Sequence, residues 1–170
     1  MRGLSMVLAG LVWSGVAFAQ EPAVDVKTEY LASLEVKLGE PQNVGKRFIV
    51  PSTGGSITGP KIHAELIPPS GDWLIPMPDG TLRLDVRQSF KADDGEILLF
   101  EVGGVITTNK ELMDRFGKGE TLTPKDEYFV TAATIATTSK KYSWLSNLVV
   151  IGKMSSVNKE RAKLDLYAVY

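Results

Sequence analysis

Apolar and polar residues alternate most cleanly over residues 81–90, where Leu82, Leu84, Val86 and Phe90 interleave with Arg83, Asp85, Arg87 and Ser89. Successive side chains of a strand point to opposite faces, so one face here goes to a core and the other gathers charge. The same period of two runs through residues 30–38, with Leu34, Val36 and Leu38 set against Ser33, Glu35 and Lys37. A further strand is expected over 45–51, ended by Pro51 and a Gly54-Gly55 turn. Another covers 57–67, interrupted at Gly59-Pro60 and closed by Pro68-Pro69, because proline cannot donate to a ladder.

Residues 72–75 form a short apolar piece between Gly71 and Pro76. Residues 96–108 are apolar on both faces and read as a central strand, with Gly103-Gly104 expected to make a bulge or bend. The segment 110–117, KELMDRFG, is a short helix with Asn109 as N-cap and Gly117 as C-cap, and 121–126 is a turn. Strands follow over 127–138, 144–151 and 163–170. Asp79-Gly80 and Asp94-Gly95 are the strongest hairpin signals and predict two-residue type I′ turns. About eight evenly spaced strands with at most one short helix point to an all-β fold, an antiparallel barrel that is closed or nearly so.

The N-terminus breaks this pattern. Arg2, an apolar run over 4–16 and Ala17-Phe18-Ala19 make up a signal peptide over 1–19, with cleavage expected before Gln20. The apolar run is shorter than the roughly 20 residues of a spanning helix, which disfavours a retained anchor. Residues 20–170 then form a single domain, destined for the periplasm or the exterior, with no stable membrane insertion expected.

Composition narrows the chemistry. The chain has 19 Lys and Arg against 20 Asp and Glu, a net charge of −1, so no basic patch is available to neutralise phosphates and nucleic acid is not expected as a partner. There is no cysteine and one histidine, which removes thiol chemistry and leaves no expected metal site. The Gly55–Gly59 stretch lacks the lysine and helix of a phosphate loop, so nucleotide use is not expected, and no G-x-S-x-G elbow supports a serine-hydrolase triad; no cofactor is expected.

The candidate site residues are Asp72, Asp85, Arg87 and Glu101 for proton transfer. Trp73, Arg87, Asp85, Tyr142, Trp144 and His63 are the candidates for ligand binding. Asp85 and Arg87 share a strand face, either as an exposed ion pair or in a barrel mouth, where the guanidinium can clamp a carboxylate and Asp85 can act as a base. Trp73 and Trp144 either plug the barrel or form an aromatic wall to which Tyr142 adds a hydroxyl. His63 is a lone histidine in a strand. Glu101, amid apolar residues, faces water at an edge or is buried as an acid or base.

A series of motifs occurs in a fixed order: Gly45-Lys46-Arg47, Gly54-Gly55, Gly59-Pro60, Gly71-Asp72-Trp73, Pro78-Asp79-Gly80, Leu84-Asp85-Val86-Arg87, Asp94-Gly95, Tyr128-Phe129 and Tyr142-Ser143-Trp144-Leu145. In this order the chain resembles bacterial domain-of-unknown-function family 3237, the UPF0311-type proteins, over nearly all of residues 20–170. The resemblance implies a small closed barrel of about eight strands, whose bore holds side chains or one small ligand. Two departures from the family pattern stand out: Val130 where an arginine usually follows Tyr-Phe, and Asn147 displaced by Ser146 after Trp-Leu. If those positions line a pocket, the ligand is less anionic than elsewhere in the family.

The leading functional reading is an exported barrel that binds a small apolar or aromatic ligand within it. The second is a cofactor-independent lyase, isomerase or cyclase working through the four candidate proton-transfer residues. An outer-membrane barrel is a weaker third. It draws on the leader and on the alternation of Leu164, Leu166, Ala168 and Tyr170, but lacks aromatic girdles.

Overall fold

Eight long antiparallel strands run in the order β1-β9-β8-β7-β6-β5-β4-β3, and β3 pairs again with β1 to close a barrel. They are β1 (Thr28–Leu38), β3 (Phe48–Thr58), β4 (His63–Pro76), β5 (Thr81–Ala92), β6 (Ile97–Thr107), β7 (Tyr128–Thr137), β8 (Val149–Val157) and β9 (Arg161–Val169). A two-residue strand, β2 (Gln42–Asn43), lies on the start of β3. One helix, α1 (Lys110–Gly117), follows β6. A computed structural model describes residues 24–170 of the chain, and the leader expected over 1–19 lies outside the described residues. No helix among them is long and apolar enough to cross a membrane, which says nothing about strands.

The alternation in β5 is realised as expected: Leu84, Val86 and Phe90 are buried inside, while Arg83 and Arg87 stand outside. Several local expectations are corrected. The Gly54-Gly55 pair does not end a strand, because β3 runs through it to Thr58. Gly55 has φ +143°, and a Cβ there would collide with the Glu35 carbonyl, so this glycine permits the close approach of β3 to β1 that seals the barrel. The expected 57–67 strand is divided by the hairpin at Gly59-Pro60. Pro68 and Pro69 do not close β4. They fall in a register shift between Ile67 and Gly71, and the Ser70 hydroxyl accepts the Ser89 N–H at 2.9 Å in place of a backbone carbonyl.

Gly103-Gly104 makes no bulge, since β5–β6 and β6–β7 keep their register across it. Gly104 is instead a packing position. A Cβ would lie 2.7 Å from Leu84 Cδ1 and 2.9 Å from Thr131 Cγ2, so those side chains fill the bore over it. The Asp-Gly turns are not type I′, because only the glycines are left-handed, Gly80 at φ +83° and Gly95 at φ +87°. Each hairpin is a three-residue loop closed by Met77 N to Thr81 O and Ala92 N to Glu96 O. Asn109 caps α1 as expected and accepts the Leu112 N–H at 3.0 Å, but the helix includes Gly117, with Lys118 as C-cap.

The two ends of the barrel differ. At the end where β5 finishes and β6 begins, the expected 144–151 strand is corrected to a 3₁₀ turn over Ser143–Asn147, with β8 starting only at Val149. That turn drives Leu145 into the barrel end beside Tyr142, Phe90, Leu98 and Val150, all buried. At the opposite end α1 buries Leu112, and Leu122 bridges to Val157, covering the β6–β8 side. On the β1–β3–β4 side, Leu38, Val50 and Leu74 remain only half-buried. This end is the mouth.

Candidate functional site

The sequence-predicted residues fall in three places. Asp85, Arg87 and Glu101 lie on the outer wall, as the inward course of Leu84, Val86 and Phe100 requires. They form a line of ion pairs: Arg87 Nη1 to Asp85 Oδ1 at 2.9 Å, Arg87 Nε to Glu101 Oε1 at 3.2 Å, and Arg47 Nη1 to Asp85 Oδ2 at 3.6 Å. About half of each side chain is exposed, so these pairs belong to the weak, solvent-screened class. Where Gly103 lacks a side chain opposite Asp85, the wall carries an open depression of about 330 Å³, lined by Leu84, Asp85, Arg87, Glu101, Val102 and Gly103. Trp73 also faces outward, 37% exposed, on the same face as Gly71, which pairs with Arg87. None of these four reaches the bore, which corrects the expectation that Asp85 and Arg87 line a barrel mouth.

The aromatic pair is likewise separated. Trp144 lies at the sealed end, in a small recess of about 40 Å³ with Tyr30, Lys61 and Tyr170, so it builds no wall with Trp73. Tyr142 is buried, and its hydroxyl donates to Asp93 Oδ1 at 2.8 Å. Lys141 Nζ binds the same carboxylate, and Ser139 Oγ donates to Asp94 while accepting the Tyr142 N–H. These bonds fasten the 3₁₀ turn to the β5–β6 hairpin and explain the Tyr142 hydroxyl as an anchor. His63 is exposed near the same end, 3.7 Å from Glu65.

Asp72 is different. It pairs across the sheet with Val86 on one side and Val50 on the other, both inward positions, so its carboxylate is carried on the inner face near the mouth. The β4–β5 register runs from Gly71↔Arg87 to Asp72↔Val86 and resumes only at Ile75↔Arg83. In that gap Asp72 Oδ1 accepts the Asp85 N–H at 3.1 Å, doing for the ladder what a backbone carbonyl does elsewhere. Burial pushes the Asp72 carboxyl up to about 6; the Asp85 N–H works against this, and the Asp85 carboxylate adds to it. Burial raises one other carboxyl in the same way, that of Glu127 just before β7, also to about 6.

Two inner residues were missed by sequence reasoning. Gln88 and Ser52 are buried in the bore, with Gln88 Nε2 donating to Ser52 Oγ at 3.1 Å. The available signal was Gln88 itself, a polar residue in phase with Leu84, Val86 and Phe90 on the apolar face of β5. Among the described residues no group of three or more His, Cys, Asp and Glu stands together as metal ligands.

Residues 21–169 match the model of a family described as "Protein of unknown function (DUF3237)". The chain belongs to the DUF3237 family. Among its curated DUF3237-type relatives, a UPF0311 protein of Rhodopseudomonas palustris is 26% identical over 149 residues, 85% of this chain and 97% of its own length. Another from Clostridium acetobutylicum is 30% identical over 116 residues, 68% of this chain and 73% of its own. The crystal structure of the Rhodopseudomonas palustris protein, itself of unknown function, matches with a TM-score of 0.80 at 26% identity, covering 88% of this chain and 100% of that one. A β-barrel-like protein from Acinetobacter baumannii matches with a TM-score of 0.73 at 26% identity, covering 89% and 100%. The closed barrel is therefore the DUF3237 fold. Val130, a departure from the family pattern, lies on the outward phase of β7, away from the inner face that carries Asp72.

Proposed function

We propose that this DUF3237 protein is exported, mature from Gln20, and binds a small, largely apolar ligand in the mouth of its barrel. The observation that carries the reading is an inward carboxylate, Asp72, set among half-buried apolar side chains at the one end that its neighbours leave open. Val50 and Leu74 supply apolar wall on either side of it, and Leu84 and Thr131 fill the bore over Gly104 on the β5–β7 side, so the ligand is small and sits on the β3–β4 side. The outer-wall ion pairs take no part in this site.

The test is an NMR titration with 2-phenylethanol, a neutral apolar probe with one polar end. Perturbed amides should centre on Val50, Asp72, Leu74 and Val86, and Leu74→Trp, which fills the mouth, should abolish them. Perturbation centred on Gly103 and Asp85, or none at millimolar probe, would refute the reading.

A second reading has its own support. A carboxyl with a pKa of about 6 on the inner face of the barrel holds and releases a proton close to neutral pH, as a general acid or base requires. On this reading the protein is a cofactor-independent lyase, isomerase or cyclase with Asp72 as its acid–base group. Of the four candidate proton-transfer residues, only Asp72 faces the bore.

A further inference from the structure

The inner face of the mouth has a charge and a donor–acceptor pattern that select one class of ligand head group. Asp72 Oδ1 is occupied by the Asp85 N–H, and among the described residues no group donates to Oδ2. The cations nearest in the fold, Arg47 and Arg87, are held on the outer wall by Asp85 and Glu101, on the far side of the strand. The inner face thus carries a carboxylate without a counter-charge among the described side chains, and a carboxylate is acceptor-only when ionised.

Gln88 adds a second acceptor. It is the next inward residue after Val86 on β5, and Val86 stands directly across from Asp72. Inward residues so related on neighbouring strands lie about 7–8 Å apart, a distance that one small head group spans. The side-chain amide of Gln88 is fixed by its donation to Ser52 Oγ at 3.1 Å, which turns Oε1 the other way. Among the described residues Oε1 receives no donor, yet it is not sealed off, because the one sealed and partnerless side-chain oxygen among them is Thr108 Oγ1. Two acceptor oxygens, one of them charged, belong to inner-face residues that neighbour Val50, Leu74 and Val86.

We infer that the mouth takes a primary ammonium group on a small apolar body, its N–H donors shared between Asp72 Oδ2 and Gln88 Oε1. A protonated amine has three donors and no acceptor, which matches this inner surface. An anion meets the like charge of Asp72 there. A neutral alcohol can satisfy one acceptor but leaves the carboxylate without a counter-charge. The inference rests on the mouth reading above, and the experiment separates the two.

Three probes of nearly equal size, 2-phenylethylamine, 2-phenylethanol and phenylacetate, are titrated into the mature protein at pH 7.5 by NMR. The amine should bind at least about tenfold more tightly than the alcohol, and phenylacetate should bind more weakly than either. Asp72→Asn keeps the acceptor for the Asp85 N–H and should bring the amine-to-alcohol ratio close to one; Gln88→Met should lower it by several-fold. Arg87→Ala, on the outer wall, should leave the ratio as it is. Thermal melts confirm that each variant is folded. A wild-type ratio near one, a ratio untouched by Asp72→Asn, or phenylacetate binding as tightly as the amine overturns the ammonium assignment while leaving the mouth as a binding site. Failure of all three probes to perturb the mouth overturns both.

Discussion

Replacing Asp72 with asparagine should make the protein more stable at neutral pH, and the size of the gain should depend on pH in a defined way. An aspartate in the unfolded chain titrates near 3.8, whereas in the fold burial holds the Asp72 carboxyl at about 6. Between those values the folded protein keeps a proton that the unfolded chain has released. Stability from this group is therefore fully present below pH 3.8 and is lost as pH rises through about 6. At 1.36 kcal/mol per pKa unit, the raised value corresponds to about 3 kcal/mol of strain carried by the ionised carboxylate at pH 7.5. Asparagine is neutral at every pH and retains an oxygen for the Asp85 N–H. The variant should then gain about 1–3 kcal/mol at pH 7.5 and little or nothing at pH 4.

Urea unfolding of wild type and variant from pH 4 to 8 measures this. The difference between the two curves is the relevant quantity, because Asp126 and Glu35, whose pKa values are lowered by their basic partners, impose the opposite slope on both proteins and cancel. A flat difference curve, or a variant weaker than wild type at pH 7.5, would refute the placement of Asp72 in a desolvated site. A gain would show that the native residue is retained against stability, the pattern expected of a functional group.

Three further outcomes test the frame around the site. Gly104→Ala should destabilise by about 1–3 kcal/mol in chemical denaturation, since the added carbon meets Leu84, Thr131 and the immovable Val130 carbonyl, the last at 2.9 Å. Tyr142→Phe should cost about 1 kcal/mol through loss of the bond to Asp93, and hydrogen exchange should show the Ser143–Asn147 turn loosening before the strands. Arg87→Ala should shift stability by less than about 1 kcal/mol and leave 2-phenylethanol affinity unchanged, because half of the side chain is in water and it faces away from the bore. A larger loss would mean that the outer ion pairs act as a coupled network.

Where strand alternation was regular, the sequence was a faithful guide to which face each residue takes. Leu84, Val86 and Phe90 went inside and Asp85 and Arg87 outside, as their period of two requires, and α1 began at its asparagine cap. Residues 68–71 and 52–55 were misread for a common reason. Both stretches look like strand ends because of their prolines and glycines, yet the register shifts inside continuous strands, Ile67 to Gly71 on β4 and Pro51 to Ser56 on β3. A strand that tolerates extra residues keeps running, and only its cross-strand partners reveal it. The 3₁₀ turn at Ser143–Asn147 was hidden differently. Trp144, Leu145 and Leu148 have strand-like composition, but they serve as a plug whose position is set by Asp93 and Asp94, some fifty residues earlier in the chain.

The same irregularity accounts for the polar inner face. Extra residues in β4 leave Ser89 on β5 without its backbone acceptor, which the Ser70 side chain supplies, and Asp72 does the same for Asp85 a few residues on, where the register is kept. The shift in β3 has a parallel effect: it brings Ser52 to the inner face on one side and Ile57 on the other, which strict alternation from residue 52 to 57 forbids. Ser52 then meets Gln88 across the bore. Polar groups are costly inside a barrel unless each finds a partner, and these find theirs because the wall is locally out of register. Asp72 Oδ2 and Gln88 Oε1 are two acceptors that the ladder does not use, on the inner faces of neighbouring strands. A wall repaired only for folding would do as well with asparagine at position 72. Asparagine would also offer the ladder an acceptor, so the charge of Asp72 is the feature that the proposed ammonium ligand would use.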